Sequence, residues 1–280
     1  MKKVILAALL AGAGTTPVHA GGYTFLNIGI NLLNQDRYAD SIPWFDKALA
    51  AGDLLPDQIH VARLDRGMAR AETGDYAKAA GDFTAALAMR PDATRALMLL
   101  AYAHIGAGEN DKAIAEIAQL KAKGAAGYRV RYNSGLLEWA LERYNEAGED
   151  FKAAADDGYR YAWLWQQMVN LKLGKPVTSY RGESVAVPGE HRRLKIRGGW
   201  PEAIVDFYLG DATEKDVFDA VGESTAQAGR ACEANFYLGE WRDLHGDVAG
   251  ARPMLQKAAQ DCPSGYEEKR MSTLELKRLP

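Results

Sequence analysis

The stretch Gly74-Asp-Tyr-Ala-Lys-Ala-Ala-Gly-Asp-Phe-Thr-Ala-Ala-Leu87, followed by Pro91, contains the spacing on which the fold prediction depends. It has a small residue at Ala79, a large one four residues later at Phe83, and a small one three residues further on at Ala86. Two antiparallel helices approach closely only where small residues face each other, and a large residue fills the gap beside them. The spacing therefore predicts one member of a packed helix pair.

The same pattern recurs around this stretch with a period close to 34 residues, as in the series Gly67, Ala101 and Gly135. The three positions of the pattern are filled in five places: Ser41, Phe45, Ala48; Ala79, Phe83, Ala86; Ala113, Ile117, Leu120; Ala147, Phe151, Ala154; and Ala251, Leu255, Ala258. A period of 20–50 residues is typical of stacked repeats, in which each helix pair leaves an apolar side that the next pair covers. The sequence therefore predicts an all-α solenoid.

The units are expected to begin near Gly22, His60, Thr94, Tyr128 and Cys232, with a half-unit over 162–174. Abundant alanine and glycine, with few β-branched runs, also favour closely packed helices over sheets. We expect a helix content far above the globular average of about one third.

At these positions the chain resembles the tetratricopeptide repeat family, which implies an all-α solenoid of antiparallel helix pairs. Asn110 and Val248 depart from the aromatic residue that Tyr38, Tyr76 and Tyr144 place at the corresponding position. The resemblance covers residues 21–175 as N-terminal repeats and 200–280 as a C-terminal helical region with a final repeat. Between them, 176–199 is rich in proline and glycine and is interpreted as a loop or linker. A degenerate unit is expected over 200–221, and a capping helix over 266–279.

Residues 1–20 have a basic start at Lys2 and Lys3, a short apolar run and a small-residue end at Ala20. This is the layout of a cleavable secretory signal, so we expect an exported chain in the periplasm of a Gram-negative bacterium. No cysteine follows the apolar run, so no lipid anchor is expected.

The formal net charge of the chain is −3, and loss of the two signal lysines would take it to −5. Binding to nucleic acid rests mainly on neutralisation of phosphates by Lys and Arg, so an acidic chain is not expected to bind it.

Three further phrases resemble the second half of the NlpI-type periplasmic repeat proteins. They are 200–210 with 232–239, Ala162-Trp-Leu-Trp165, and Leu274-Glu-Leu-Lys-Arg-Leu279. The resemblance implies a dimerising adaptor of the cell envelope that presents cell-wall (peptidoglycan) hydrolases to each other or to a C-terminal processing protease.

Cys232 and Cys262 are 30 residues apart and fall at adjacent ends of two antiparallel helices in the repeat register. Export to an oxidising compartment favours a disulfide between them, the alternative being two inert thiols. No histidine shares their register, so no metal site is expected. The sequence contains no nucleophile, zinc or phosphate-loop motif, so neither catalytic residues nor cofactors are predicted.

Three charged features have structural alternatives to a binding role. Arg63, Arg66 and Arg70 follow a single helix face and favour either an anion site or an ion pair from Arg66 to Asp82. His104 is interpreted as a structural histidine with a partner. The basic run 191–197 is either a contact for head groups or an acidic partner, or a solvated loop.

In these repeats the first helix of each unit lines the concave face. The positions that point there are Tyr23, Leu26, Ile30, Leu64, Met68, Met98, Tyr102, Ile105, Tyr132, Leu136, Trp139 and Trp163, and Asn133 adds an amide. Aromatic anchors with adaptable methionines suit an extended or helical peptide. The alternative is that these side chains pack in the core or against a dimer mate. If they bind a partner, truncating Tyr132 or Trp139 is expected to weaken capture and to leave the fold intact.

The sequence thus favours a non-enzymatic adaptor that binds proteins through a concave groove. A periplasmic binding protein for a small ligand or a cell-wall fragment is the alternative. An enzyme would require an unrecognised site within 176–199.

Overall fold

The structure is a computed structural model that describes residues 21–124, 127–178, 200–223, 226–263 and 265–280. The predicted signal (1–20), residues 179–199 of the predicted loop and the basic run 191–197 lie outside the described residues. Of the described residues 78% are helical and none forms a β-strand, so the predicted all-α class is confirmed.

Fourteen helices follow one another along the described ranges. The first eight form four antiparallel pairs: α1 (Gly22–Leu33) with α2 (Tyr38–Ala50), α3 (Pro56–Glu72) with α4 (Tyr76–Met89), α5 (Thr94–Gly106) with α6 (Asn110–Gly124), and α7 (Tyr128–Ala140) with α8 (Tyr144–Asp156). The remainder are α9 (Arg160–Lys172), α10 (Glu202–Tyr208), α11 (Glu214–Val221), α12 (Gln227–Leu244), α13 (Val248–Asp261) and α14 (Glu267–Arg278).

Two predicted unit boundaries are displaced from the observed helix starts. The first helix of the second unit begins at Pro56 rather than near His60, and that of the last unit begins at Gln227 rather than near Cys232. The repeat pattern marks where the packing face begins, whereas the helix itself starts earlier. At α3 the start is set by Pro56 in the first turn and by the side chain of Gln58, which accepts a hydrogen bond from the Leu55 N–H (2.9 Å).

The contact inside the first, second and fourth pairs explains why glycine on the first helix accompanies phenylalanine on the second. A Cβ built on Gly67 would lie 2.5 Å from the ring of Phe83, and one built on Gly135 would lie 2.7 Å from the ring of Phe151. Gly29 and Phe45 repeat the arrangement in the first pair (2.8 Å). The aromatic ring therefore lies directly on the backbone of the first helix, where only glycine leaves room for it.

The turns between the paired helices share one backbone feature. The residue two positions before the second helix is left-handed in five pairs: Asp36 (φ 59°), Gly74 (83°), Gly108 (76°), Glu142 (59°) and Gly246 (82°). Glycine adopts this conformation at no steric cost, whereas other residues adopt it less readily. Three pairs follow that preference, and the remaining two place a carboxylate there.

The core runs along the solenoid as a series of clusters, one per unit at the N-terminal end. The largest extends from α7 to α14 and contains the fully buried side chains of Trp139, Trp165 and Phe236. Between α9 and α12 the short pair α10 and α11 occupies the place of the predicted degenerate unit. The predicted terminal helix, α14, packs against α13.

Candidate functional site

α14 does more than cover the last repeat, because it also touches the first helices of the N-terminal units. Lys269 lies 3.8 Å from Asp36 in the turn after α1, and Arg270 lies 3.9 Å from Glu72 at the end of α3. The guanidinium of Arg270 also lies over the ring of Tyr102 on α5, 5.3 Å from its centroid. A single helix reaches the ends of α1, α3 and α5 only if these elements curve around it. α14 therefore lies in the concave face of the solenoid.

Within that face α14 is joined to α7 by side-chain hydrogen bonds. The Tyr132 hydroxyl donates to Glu267 (2.8 Å), and the Trp139 indole donates to Glu275 (2.8 Å). At the far end, the Arg278 guanidinium donates to the carbonyl of Ala140 (2.9 Å), one of the last carbonyls of α7. Such side-chain donors satisfy carbonyls that a helix end leaves without partners.

The residues predicted to line the concave face divide into three groups by exposure. Buried are Leu26, Leu64, Tyr132, Leu136, Trp139 and Trp163; half-buried are Ile30, Met68, Met98, Tyr102, Ile105 and Asn133; and Tyr23 is exposed. The amide of Asn133 donates to the carbonyl of Arg129 in its own helix (2.7 Å). The structure therefore does not gather these side chains into one open surface, and their role in binding stays a prediction.

The structure argues against the expectation that Trp139 could be truncated with the fold intact. Its side chain is fully buried and packs against the rings of Tyr144 (5.1 Å between centroids) and Trp165 (5.4 Å), in addition to its bond to Glu275. Removal of a buried tryptophan costs about 3–5 kcal/mol of stability. A Trp139→Ala variant would therefore report on folding rather than on binding.

A cleft of about 370 Å³ remains open between α14 and the first helices of the second and third units. Its floor includes Tyr102 and Ile105 on α5, and Met271 and Leu274 on α14. Its charged members are Glu72 on α3 and Lys269, Arg270 and Lys277 on α14. The cleft thus combines an apolar floor with three cations and one carboxylate.

The electrostatics of the cleft follow from this composition. Burial raises the pKa of Glu72, and the neighbouring charges of Arg270 and Lys269 oppose that shift. Burial also raises the pKa of Tyr102, so its hydroxyl stays protonated and can donate a hydrogen bond. Lys277 is exposed and forms no ion pair within the described part of the chain. Its charge is therefore free to meet an anion.

Sequence reasoning missed these α14 residues as part of the concave face. The signal was present, since Met271 and Leu274 form an apolar stripe within a charged segment. That stripe predicts a helix with one packing face but does not reveal which surface it covers.

Two of the charged features are resolved by side-chain pairs. Arg66 binds Asp82 through two hydrogen bonds (2.9 and 2.5 Å), which confirms the predicted ion pair, and Arg70 binds the same carboxylate (2.7 Å). His104 lies 2.9 Å from Glu116, as expected of a structural histidine with a partner.

The remaining predicted pair is that of the cysteines. The structure joins Cys232 and Cys262 in a disulfide, with their Cα atoms 4.8 Å apart. The predicted juxtaposition of the two helix ends is therefore confirmed. In the described ranges no group of three or more His, Cys, Asp or Glu side chains is placed to hold a metal ion. Nor does any helix in them have the length and apolar character to cross a membrane.

A curved stack of helix pairs whose inner face carries a cleft is the architecture of a tetratricopeptide-type α-solenoid. Comparison with known proteins agrees with it, since residues 64–127 match the tetratricopeptide repeat family. A tetratricopeptide repeat protein from Parabacteroides merdae has a similar structure, with a TM-score of 0.56 at 16% identity over 93% of this chain and 85% of that one. At this identity the likeness shows the fold alone.

Two other solved structures match at lower TM-scores. MamA from Desulfovibrio magneticus has a TM-score of 0.44 at 18% identity, over 55% of this chain and 85% of that one. A chain of the Cut9–Hcn1 hetero-tetramer of the APC/C has a TM-score of 0.49 at 14% identity, over 94% of this chain and 44% of that one.

Proposed function

We propose that this chain is a non-enzymatic scaffold that binds a segment of another protein in the cleft between α5 and α14. The observation that carries the proposal is the cleft itself, which is open, apolar at its floor and cationic along α14. Repeat solenoids commonly use the concave face to bind proteins, because curvature creates one long accessible surface there.

The chemistry of the cleft defines the segment that fits. Tyr102, Ile105 and Leu274 offer an apolar surface for one aliphatic or aromatic anchor, and such anchors usually dominate binding energy. Lys277 and Arg270 favour an acidic group beside that anchor. A peptide with an apolar residue next to aspartate, glutamate or a terminal carboxylate satisfies both requirements. The cations come from α14, which explains why the first helices alone did not predict them.

The proposal also includes the compartment in which the chain works and the proteins that it binds. The signal-like residues 1–20 support export to the periplasm of a Gram-negative bacterium. The phrases resembling NlpI-type proteins support an envelope adaptor that recruits a peptidoglycan hydrolase or a C-terminal processing protease. They also support a homodimer as the working form.

A second candidate is a binding protein for a small ligand or a cell-wall fragment. It is favoured by the volume of the cleft, about 370 Å³, which falls in the range of small-molecule sites of about 300–1,000 Å³.

Affinity capture from periplasmic extract tests the proposal with three variants. Ile105→Glu puts a charge on the apolar floor, and Lys277→Glu reverses an exposed charge on the rim. Lys257→Glu, an exposed lysine on α13 outside the cleft, is the matched control. Circular dichroism establishes that each variant keeps the helical fold.

We expect wild type and Lys257→Glu to retain the same proteins in stoichiometric amounts. Ile105→Glu should retain at least tenfold less, since losing an apolar anchor costs about 2 kcal/mol. Lys277→Glu should retain about threefold less, as expected for a solvent-exposed charge. Equal retention by all variants would refute the cleft, and retained saccharide without protein would favour the second candidate.

A further inference from the structure

A second, smaller pocket lies at the N-terminal end of α14, separate from the cleft. It has a volume of about 210 Å³. Three tyrosines and three glutamates line it: Tyr159 before α9, Tyr161 on α9, Tyr266 before α14, Glu233 on α12, and Glu267 and Glu268 on α14. The ring of Tyr266 rests on Gly229 of α12, where a Cβ would overlap the tyrosine hydroxyl. Three separate parts of the chain therefore meet to build this pocket.

The side-chain donors to the three carboxylates are neutral. Glu233 accepts from the Tyr161 hydroxyl (2.8 Å) and the Trp200 indole (2.5 Å). The Tyr132 hydroxyl donates to Glu267 (2.8 Å), and the Tyr237 hydroxyl lies 3.4 Å from Glu268. Among the described residues no Lys, Arg or His forms an ion pair with any of these glutamates.

Arg230 is the basic residue that acts on this pocket, and its guanidinium is oriented elsewhere. It donates to the carbonyl of Val221 (3.4 Å), and its charge only partly offsets the effect of burial on Glu233. The pocket therefore carries three carboxylates without a paired cation among the described residues.

Ionising these carboxyl groups costs free energy, because they are buried and close to one another. Glu233 and Glu268 are 7% and 2% exposed, and burial together with the neighbouring carboxylates raises the pKa of each. The N-terminus of α14 favours acids in its first turn, which accounts in part for Glu267 and Glu268. It does not account for Glu233, which lies in the second turn of α12.

The tyrosines add a second, independent preference. Tyr159, Tyr161 and Tyr266 contribute aromatic rings to the lining of the pocket, and a cation within about 6 Å of a ring centroid is attracted by the negative face of its π-system. Aromatic walls combined with carboxyl groups that have no ion pair are the chemistry that recognises organic ammonium and guanidinium groups.

We propose that this pocket binds one organic cation, an alkylammonium or guanidinium group, such as the side chain of a lysine or arginine. Its volume of about 210 Å³ lies below the range of drug-sized sites, about 300–1,000 Å³, and therefore suits a single side chain or small amine. The site is distinct from the cleft and does not depend on the proposed scaffold function.

The indole of Trp200 offers a direct reporter, because it donates to Glu233 at the pocket. The full chain, labelled with ¹⁵N in its tryptophan indoles, is titrated with n-butylguanidinium or n-butylammonium chloride at concentrations well below those that unfold it. Sodium chloride at equal ionic strength is the salt control. The indole of Trp139, bonded to Glu275 on the other half of α14, is the internal control.

We expect saturable shifts of the Trp200 indole with the organic cations, no such shift with sodium, and a Trp139 indole that stays in place. Glu233→Gln, which keeps an oxygen acceptor, should weaken binding at least tenfold, and Tyr266→Leu should weaken it through loss of one aromatic wall. Glu149→Gln, an exposed carboxylate on α8, should bind as wild type does.

A short peptide with one central arginine distinguishes the source of the cation. Binding at least tenfold tighter than that of n-butylguanidinium assigns the pocket to a protein side chain, and equal binding assigns it to a free small cation. The absence of a saturable shift in wild type, or the same affinity in Glu233→Gln and wild type, would overturn the proposal.

Discussion

A methyl group added at Gly67 would collide with the ring of Phe83, since a Cβ there lies 2.5 Å from the nearest ring atom. The third unit of the same chain shows how the collision can be avoided. It has Ala101 where the second unit has Gly67, and the smaller Ile117 where the second unit has Phe83. Both of these residues are buried, in one core cluster. The double change Gly67→Ala with Phe83→Ile would therefore give the second unit the same pair of residue types that the third unit already packs in its core.

Two opposing effects determine how much Gly67→Ala changes the free energy of unfolding. Overpacking costs about 1–3 kcal/mol, while alanine in a helix interior is favoured over glycine by about 1 kcal/mol. The net expectation is a loss of about 0–2 kcal/mol. Gly81 on α4 is the matched control, because a Cβ there meets nothing within 4 Å. Gly81→Ala should gain about 0.5–1 kcal/mol from helix propensity alone.

Urea unfolding followed by circular dichroism measures these free energies for the single and double variants. Phe83→Ile alone should destabilise by leaving a cavity. The double variant should be more stable than the sum of the two single changes predicts, by at least about 1 kcal/mol. If Gly67→Ala were as stable as Gly81→Ala, or if the two changes were additive, the contact between glycine and ring would not determine the packing of the pairs.

Three further predictions concern stability and exposure. Replacing Cys232 and Cys262 together by serine should cost roughly 3–4 kcal/mol in the chain-entropy model, and free-thiol titration of native wild type should find no reactive sulfhydryl. Burial raises the pKa of Asp65 to about 6 against the opposing charge of Arg95, so the folded state resists ionisation of this group. Stability should therefore fall as the pH rises from about 4 to about 6, and Asp65→Asn should flatten that part of the profile in urea titrations at several pH values. Truncation after Tyr266 should uncover the aromatic residues of α7, which increased binding of a hydrophobic dye would report; unchanged dye binding would contradict the position of α14.

The local part of the fold could be predicted because its causes lie within one repeat. The spacing from Ala79 through Phe83 to Ala86 determines a helix pair without reference to the rest of the chain. The same holds for Arg66 and Asp82, which are 16 residues apart and belong to adjacent helices of one unit. Contacts of this kind occur at equivalent positions in successive repeats. A single sequence therefore shows the same residue pattern several times, which makes the helix pairs predictable.

The position of α14 could not be predicted in this way. Its bonds join residues far apart in sequence, such as Trp139 and Glu275, separated by 136 positions. α14 lies outside the repeat units, so this contact does not recur along the chain and the repeat pattern does not predict it. The candidate site could therefore not be predicted in full either. α14 buries Tyr132 and Trp139, and it brings Lys269, Arg270 and Lys277 into the concave face.

Site-specific photo-cross-linking in living cells tests the scaffold function most directly. Thr273 on α14 lines the cleft, and Thr84 on α4 is a matched control outside it. Both are exposed, and in each the hydroxyl donates to the carbonyl four residues earlier (3.0 and 2.8 Å). With a photoreactive residue at either position, we predict protein adducts from position 273 that Ile105→Glu abolishes, and none of these adducts from position 84. Equal adducts from both positions, or adducts from 273 that Ile105→Glu leaves unchanged, would contradict the proposal that the cleft holds the partner.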